Sequence, residues 1–323
     1  MVTIGYHCSH EQFAPSKLLQ YVCRAEEAGF SAAMCSDHFY PWLDDQGQSG
    51  FAWSWLGAAL AKTSISFGVV NAPGQRYHPA VVAQGVATLD ELFPGRFWIA
   101  LGTGQLLNEH ITGGDWPDKP VRQRRLLECV DVMHRLWEGE TVTHNGLINV
   151  KDARLYTRPK LAIKSVGAAV SAETAEWVGS WADALITVFK PPKELKQVVD
   201  AFHRGGGEGK PMYLQAQTSY ASTKDEARRS AFEQWRQSGL ESSTLTELAA
   251  PADFERETRL LSPADLDSKV RISADLKQHV AWIEEYFALG FEAVYLHQTG
   301  RDQERFIDAF GEYVLPAFVG RKS

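Results

Sequence analysis

The chain has 323 residues, of which 44% are hydrophobic and 23% charged, the make-up of a soluble globular protein rather than a disordered one. Its net charge of -7 with scattered basic residues argues against nucleic acid as a partner, and no apolar run is long enough to span a membrane. The start of the chain enters a strand with no basic leader, which predicts a cytoplasmic location, and the length suits one large α/β barrel.

Val2 to Cys8 reads as the first strand, and Pro15 to Gly29 as the helix behind it, with Leu18, Leu19, Val22, Cys23 and Ala25 on one face. Ala32 to Cys35 is a second strand ending in Ser36-Asp37-His38; an aromatic loop then leads to a helix near Trp55 to Lys62. Ile65 to Asn71 is strand three, and His78-Pro79 opens a helix that runs through Leu92, with proline in the first turn. Phe97 to Leu101, set off by Pro94-Gly95, is strand four and runs straight into Gly102-Thr103-Gly104-Gln105. Val121 to Trp137 has helical spacing.

Residues 138–160 break this rhythm, because Asn145-Gly146 between two strand-like runs predicts an inserted hairpin. Ala162 to Ala168, Asp183 to Val188, Met212 to Gln217 and Glu292 to His297 read as strands five to eight. Helices are expected at Ser171 to Trp181, Lys193 to His203, Lys224 to Trp235, Ala274 to Leu289 and Glu304 to Phe318, with a polar insertion over 237–271. The count predicts a single (β/α)8 TIM barrel over residues 1–323, with insertions after strands four and seven.

Cys8, Cys23, Cys35 and Cys129 lack metal or redox spacing and read as reduced core thiols. Trp42, Trp53, Trp55 and Trp116 lie in loop-like segments, which suggests an aromatic-lined pocket.

In such a barrel the loops after the strands converge on one face, so distant residues can be collected there. Gly102 and Gly104 leave room for a flat ligand against the backbone, and Gln105, Asn108 and Glu109 supply polar groups at its rim. His38 could pass a proton near neutral pH or only cap its strand end. Ser171-Ala172-Glu173-Thr174 is a helix start that could hold a phosphate, although a plain N-cap is the expected reading. No metal is expected: His7, His10, His38 and His297 could approach one another, but only Asp37 and Glu109 offer carboxylates. Leu107 stands where the third glycine of a dinucleotide fingerprint belongs, and no serine-hydrolase elbow or P-loop occurs.

Glu11-Gln12-Phe13-Ala14-Pro15, Ser36-Asp37-His38-Phe39 with Pro41-Trp42, Arg76-Tyr77 with Pro79-Ala80-Val81, and Gly102-Thr103-Gly104 with Leu107-Asn108-Glu109 resemble one known family. It is the deazaflavin-dependent glucose-6-phosphate dehydrogenase branch of the bacterial luciferase-like monooxygenase superfamily. The resemblance implies a (β/α)8 barrel, a homodimer, and FMN or a deazaflavin bound at the barrel mouth. It implies cofactor contacts at Asp37, Val70, Gly102, Thr103, Gly104 and Asn108, with Ala169, Val170, Ala172 and Glu173 near a phosphate, and a cis peptide near Val69-Val70. His38 and Trp42 would flank the reacting carbon, with Gln105 and Glu109 beside them, and Thr187 and Lys190 would face the substrate.

Gln105 stands where the sugar-phosphate dehydrogenases carry a glutamate base, and an amide cannot take a proton. Of the cations that grip the sugar phosphate, Lys190 alone is matched. The expected function is therefore a flavin-dependent oxidoreductase acting on another small organic substrate, with FMN as cofactor. A deazaflavin-dependent dehydrogenase or reductase, with Glu109 or His38 as base, and a non-catalytic flavin-binding protein are the alternatives.

Overall fold

The structure, a computed structural model, describes residues 2–320. Its strands are β1 (Thr3–Cys8), β2 (Ala32–Cys35), β3 (Ser66–Asn71), β4 (Phe97–Leu101), β5 (Val142–Asn145), β6 (Asn149–Ala153), β7 (Ser165–Ala168), β8 (Ala184–Val188), β9 (Met212–Ser219), β10 (Arg271–Ile272) and β11 (Ala293–Gln298). Parallel pairing runs β1-β2-β3-β4-β7-β8-β9-β11 and returns from β11 to β1, closing an eight-stranded barrel. Helices follow the strands and pack outside, so the fold is the expected (β/α)8 barrel.

Alternation along each strand divides the side chains into two sets. Tyr6, Phe67, Val69, Ile99, Leu185, Leu214 and Leu296 face the helices. Ala32, Met34, Ala100, Val166, Ala184, Ile186, Ala293 and Tyr295 fill the barrel itself, with Trp98 and Tyr213 packed against them. Gly68 leaves room for the indole of Trp98, and Gly5 for the ring of Tyr295. Trp98 Nε1 donates to the Tyr295 hydroxyl at 3.1 Å. These three aromatic rings plug the barrel, so chemistry is confined to the end above them.

Two of the tryptophans expected in a pocket belong to the core instead. Trp53 and Trp55 lie on the helix Ala52–Lys62, where Trp55 packs edge-on against Phe67 and donates to the Pro15 carbonyl at 3.0 Å. The loop reading failed because Phe51-Ala52-Trp53 carries no N-cap signal; Phe51 caps that helix without a side-chain hydrogen bond. The expected cis peptide near Val69-Val70 is trans, as are all peptide bonds among the described residues, and β3 pairs through it with β4 in regular register.

The hairpin β5–β6 closes through Gly146 to Ile148, and Glu128 Oε2 accepts from Leu147 N at 2.8 Å and Ile148 N at 3.2 Å, pinning its tip to the preceding helix. Residues 237–271 form the helices Ser242–Glu247 and Pro251–Glu257 and then β10, and their apolar side chains pack on Trp42 and Trp235.

Buried histidines make this core sensitive to acid. Burial pushes His279 down to about 4, and it is held between Thr218 Oγ1 at 3.2 Å and the Ser273 carbonyl at 3.1 Å. The unfolded chain takes up that proton near pH 6.5, so the stabilisation is complete above this value and lost as pH falls toward 4. The thermal midpoint is expected to fall over that window, and His279→Gln should flatten the slope by about one proton, as melts from pH 7 to 4 would read.

Candidate active site

The barrel mouth is organised by one cation between two carboxylates. Arg76 Nη2 donates to the Asp37 carbonyl at 2.7 Å and lies 3.6 Å from Asp37 Oδ1, while Arg76 Nε lies 3.7 Å from Glu109 Oε1. Its backbone N–H donates to Glu109 Oε2 at 2.7 Å. Asp37 also accepts from Asn71 Nδ2 at 2.7 Å and from the Tyr77 hydroxyl at 3.0 Å. This lattice ties the ends of β2, β3 and β4 together. Burial raises the Glu109 carboxyl, and the Arg76 N–H and guanidinium oppose that rise.

The glycine loop sits on this lattice. Gly104 has φ +85°, a left-handed conformation, and a Cβ there would stand 3.1 Å from Glu109 Cγ and 3.4 Å from Trp116. A Cβ at Gly102 would meet only Ala168 Cβ at 3.6 Å, so one face of the loop is open toward the barrel mouth. Gln105 caps the short helix Leu106–Glu109, and its carbonyl accepts from Asn108 N at 3.0 Å. Asn108 Oδ1 accepts from Phe39 N at 2.8 Å, which fixes the backbone just after His38.

His38 faces a partner that the sequence reading missed. Its Nδ1 lies 3.6 Å from Glu11 Oε1, and Glu11 Oε2 accepts from Ser9 Oγ at 2.8 Å and Ser36 Oγ at 2.7 Å. Burial raises the Glu11 carboxyl, but His38, the Ser36 hydroxyl and a backbone N–H outweigh it and hold the group below its usual range, so Glu11 is an anion at neutral pH. Burial lowers His38, with Glu11 opposing and Arg76 adding to the effect, so its imidazole is neutral at pH 7. Glu11 thus corrects the expectation that Asp37 and Glu109 are the only carboxylates here. The signal was present in Glu11-Gln12-Phe13, but only the fold shows that this segment turns back over β2.

Trp42 packs against both His38, ring centres 4.8 Å apart, and Phe254 of the second insertion, 5.3 Å apart. Val70 is half-buried and follows the inward parity of Gly68 on β3. Thr103 is half-buried. Ala169 is buried and Val170 partly exposed at the end of β7, leading to Ser171, whose hydroxyl accepts from Thr174 N at 3.2 Å. Ala172 opens that helix, and Glu173 points outward to Lys119 at 3.0 Å.

Thr187 pairs with Leu214 in the helix-facing set, so its side chain is directed away from the barrel interior. Lys190, in the loop after β8, makes no ion pair among the described residues. Arg271, the other cation near β9, is turned outward to Glu285 at 2.9 Å and stacks on Phe189 and Trp282. Among the described residues no three His, Cys, Asp or Glu side chains are disposed to hold a metal ion.

A histidine, a paired carboxylate and a bare glycine loop gathered at the mouth of a parallel barrel have the arrangement in which such barrels place an active site. The luciferase-like monooxygenase profile matches residues 2–293, and the chain belongs to that family. A relative from Microbacterium testaceum, named F420-dependent glucose-6-phosphate dehydrogenase, is 35% identical over 97% of this chain and 96% of its own. One of the same name from Beutenbergia cavernae is 33% identical over 100% and 99%. Among solved structures, an F420-dependent secondary alcohol dehydrogenase in complex with an F420-acetone adduct superposes with a TM-score of 0.91 at 31% identity, covering 98% of each chain. The tetrahydromethanopterin reductase of Methanopyrus kandleri shares the fold, with a TM-score of 0.77 at 22% identity over 98% of this chain and 99% of its own. The protein is an oxidoreductase of this family.

Proposed function

We propose that the protein is a deazaflavin-dependent dehydrogenase or reductase, using coenzyme F420 to interconvert an alcohol and a carbonyl on a small substrate. The observation that carries this reading is the neutral His38 backed by the Glu11 anion beside Trp42 and the open face of Gly102. An alcohol oxidation needs a proton acceptor at that place as well as a hydride acceptor. The names of the relatives support F420 over FMN. The preference for FMN rested on Gln105 alone, and His38 with Glu11 supplies the base that Gln105 cannot.

The residues present suit a flat ring: the open flank of Gly102, and close by the buried Asn71 Oδ1 and Glu109 Oε1, neither of which accepts a hydrogen bond. Val70, Gly102, Thr103, Gly104 and Asn108 would hold it, with Asp37 beneath and Ala169, Val170, Ala172 and Glu173 near its phosphate. When bound, the deazaflavin supplies a two-electron hydride acceptor. The Glu11 anion keeps the Nδ1 proton of His38 on its own side, which leaves Nε2 to take the proton from the substrate hydroxyl and to return it in the reverse direction. Trp42 walls this space from water together with Phe254. Glu109 supports the loop from below, bound to Arg76.

Glucose 6-phosphate is not the proposed substrate. Lys190 is the one matched cation, Thr187 faces the helices, and Arg271 is committed to Glu285 on the outer surface. A homodimer and a cytoplasmic location remain part of the proposal. No helix among the described residues is long and apolar enough to cross a membrane.

The test is a parallel binding titration of cofactor-free protein with F420 and with FMN, followed by tryptophan fluorescence. Binding of F420 at least tenfold tighter is the expected result; tight FMN binding with none for F420 overturns the reading. Glu11→Gln should reduce kcat roughly tenfold and move the acid limb of the kcat profile to lower pH, because the carboxylate that raises the His38 pKa is gone. An unshifted limb would separate Glu11 from the chemistry.

A further inference from the structure

Glu11 presents two unlike oxygens, and the difference is set at the ends of two strands. Cys8 ends β1 and Cys35 ends β2, and the two are partners in the parallel ladder. Ser9 and Ser36, the next residue along each segment, therefore leave the sheet side by side. Ser9 Oγ donates to Glu11 Oε2 at 2.8 Å, and Ser36 Oγ donates to the same oxygen at 2.7 Å. The His10 N–H donates to Ser36 Oγ at 3.1 Å, so Ser36 accepts on that side and its one proton is directed to Glu11. Neither hydroxyl is spent on Oε1, which lies 3.6 Å from His38 Nδ1.

Ser9 is 2% and Glu11 1% exposed, so water does not take the place of these donors. His7, its ring centre 4.5 Å from that of His297, and His10 also act on Glu11. Burial keeps both imidazoles below their ordinary value, and neither brings a positive charge to the carboxylate at neutral pH.

The consequence is a choice of tautomer. A neutral imidazole has a single N–H, and that proton settles on the nitrogen that faces an acceptor. A carboxylate whose other oxygen is held by two hydroxyls stays an anion and accepts from His38, so Nδ1 carries the proton and Nε2 is bare. We propose that Ser9 and Ser36 are positioning residues that fix the tautomer of His38 through Glu11, leaving its basic nitrogen for the substrate hydroxyl. The same geometry reverses in Glu11→Gln. There the two hydroxyls select the amide oxygen, which turns the NH2 group toward His38 Nδ1. A donor at that place moves the imidazole proton to Nε2, and the base is lost.

This inference rests on the proposed role of His38 as the base, and spectroscopy of the cofactor-free protein separates the two. Two-bond proton–nitrogen correlations of protein with 15N-labelled histidine read which ring nitrogen is protonated, and the His38 signals are those missing from His38→Ala. The unsubstituted protein should show His38 protonated on Nδ1 and bare on Nε2 at neutral pH. In Glu11→Gln the two should exchange. Ser9→Ala combined with Ser36→Ala should mix the tautomers and lower kcat at least about fivefold with KM little changed. A merely structural role would move the urea midpoint and leave the tautomer as it was. Ser36→Ala alone, at a half-buried strand end, should give the same mixing in smaller measure should the double variant fail to fold. The Nδ1 tautomer kept in both Glu11→Gln and the serine variants overturns the proposal, as does protonation on Nε2 in the unsubstituted protein. The expected tautomers in a protein that does not oxidise alcohols with F420 would overturn the function and leave this arrangement standing.

Discussion

His38→Ala should lower kcat by about 10²–10⁴-fold while the urea midpoint hardly moves. The side chain is 14% exposed at the mouth, and its Nδ1 makes no hydrogen bond, with Glu11 Oε1 at 3.6 Å. Little of the core depends on it. The proton acceptor, in contrast, has no substitute close by: Glu109 is occupied by Arg76, and Gln105 is an amide. Steady-state rates with F420 and equilibrium unfolding on the same preparation decide the matter. Activity near that of the unsubstituted enzyme would remove His38 from the mechanism, and a large loss of stability would make it structural.

Arg76→Met is expected to act in the opposite way, on the fold first. Arg76 is 9% exposed in its side chain and is shared by Asp37 and Glu109, which are 1% and 2% exposed. Removing the cation leaves two buried carboxyl groups without their counter-charge, a change that typically costs about 3–5 kcal/mol. The Glu109 carboxyl, already raised by burial, would rise further and hold its proton at neutral pH. Adding Glu109→Gln to the same chain should restore part of the loss, since the amide needs no counter-charge. Urea unfolding of the three chains measures this; a cost below about 1 kcal/mol for Arg76→Met would show that solvent reaches the lattice.

These two substitutions also separate what could be read in the chain from what could not. The strand-end rule brought Asp37, His38, Asn71, Arg76, Gly102, Gly104, Asn108 and Glu109 to one face, because a parallel barrel sends every βα loop to the same end. It could not tell which of those side chains face one another. Glu109, a candidate base beside His38, lies beneath Gly104 and is held by Arg76. Glu11, quoted only as part of a motif, is the anion that faces His38. Thr187 shows a simpler limit: a side chain one residue out of register points to the opposite side of its strand.

Local signals were enough for the barrel. Apolar runs, helical spacing and the glycine and proline stops between them depend on neighbours in the chain, and their repetition eight times leaves few architectures. The same signals misread Trp53 and Trp55, where packing against Phe97 and Phe67 outweighs a weak helix start. Sequence by itself therefore determined the closed barrel and the family it belongs to. Tertiary structure alone decided the pairing of Glu11 with His38, of Arg76 with Asp37 and Glu109, and of His7 with His297. The physical reason is that a charge or a proton responds to groups within a few ångströms, and in a barrel those groups come from strands far apart in the chain.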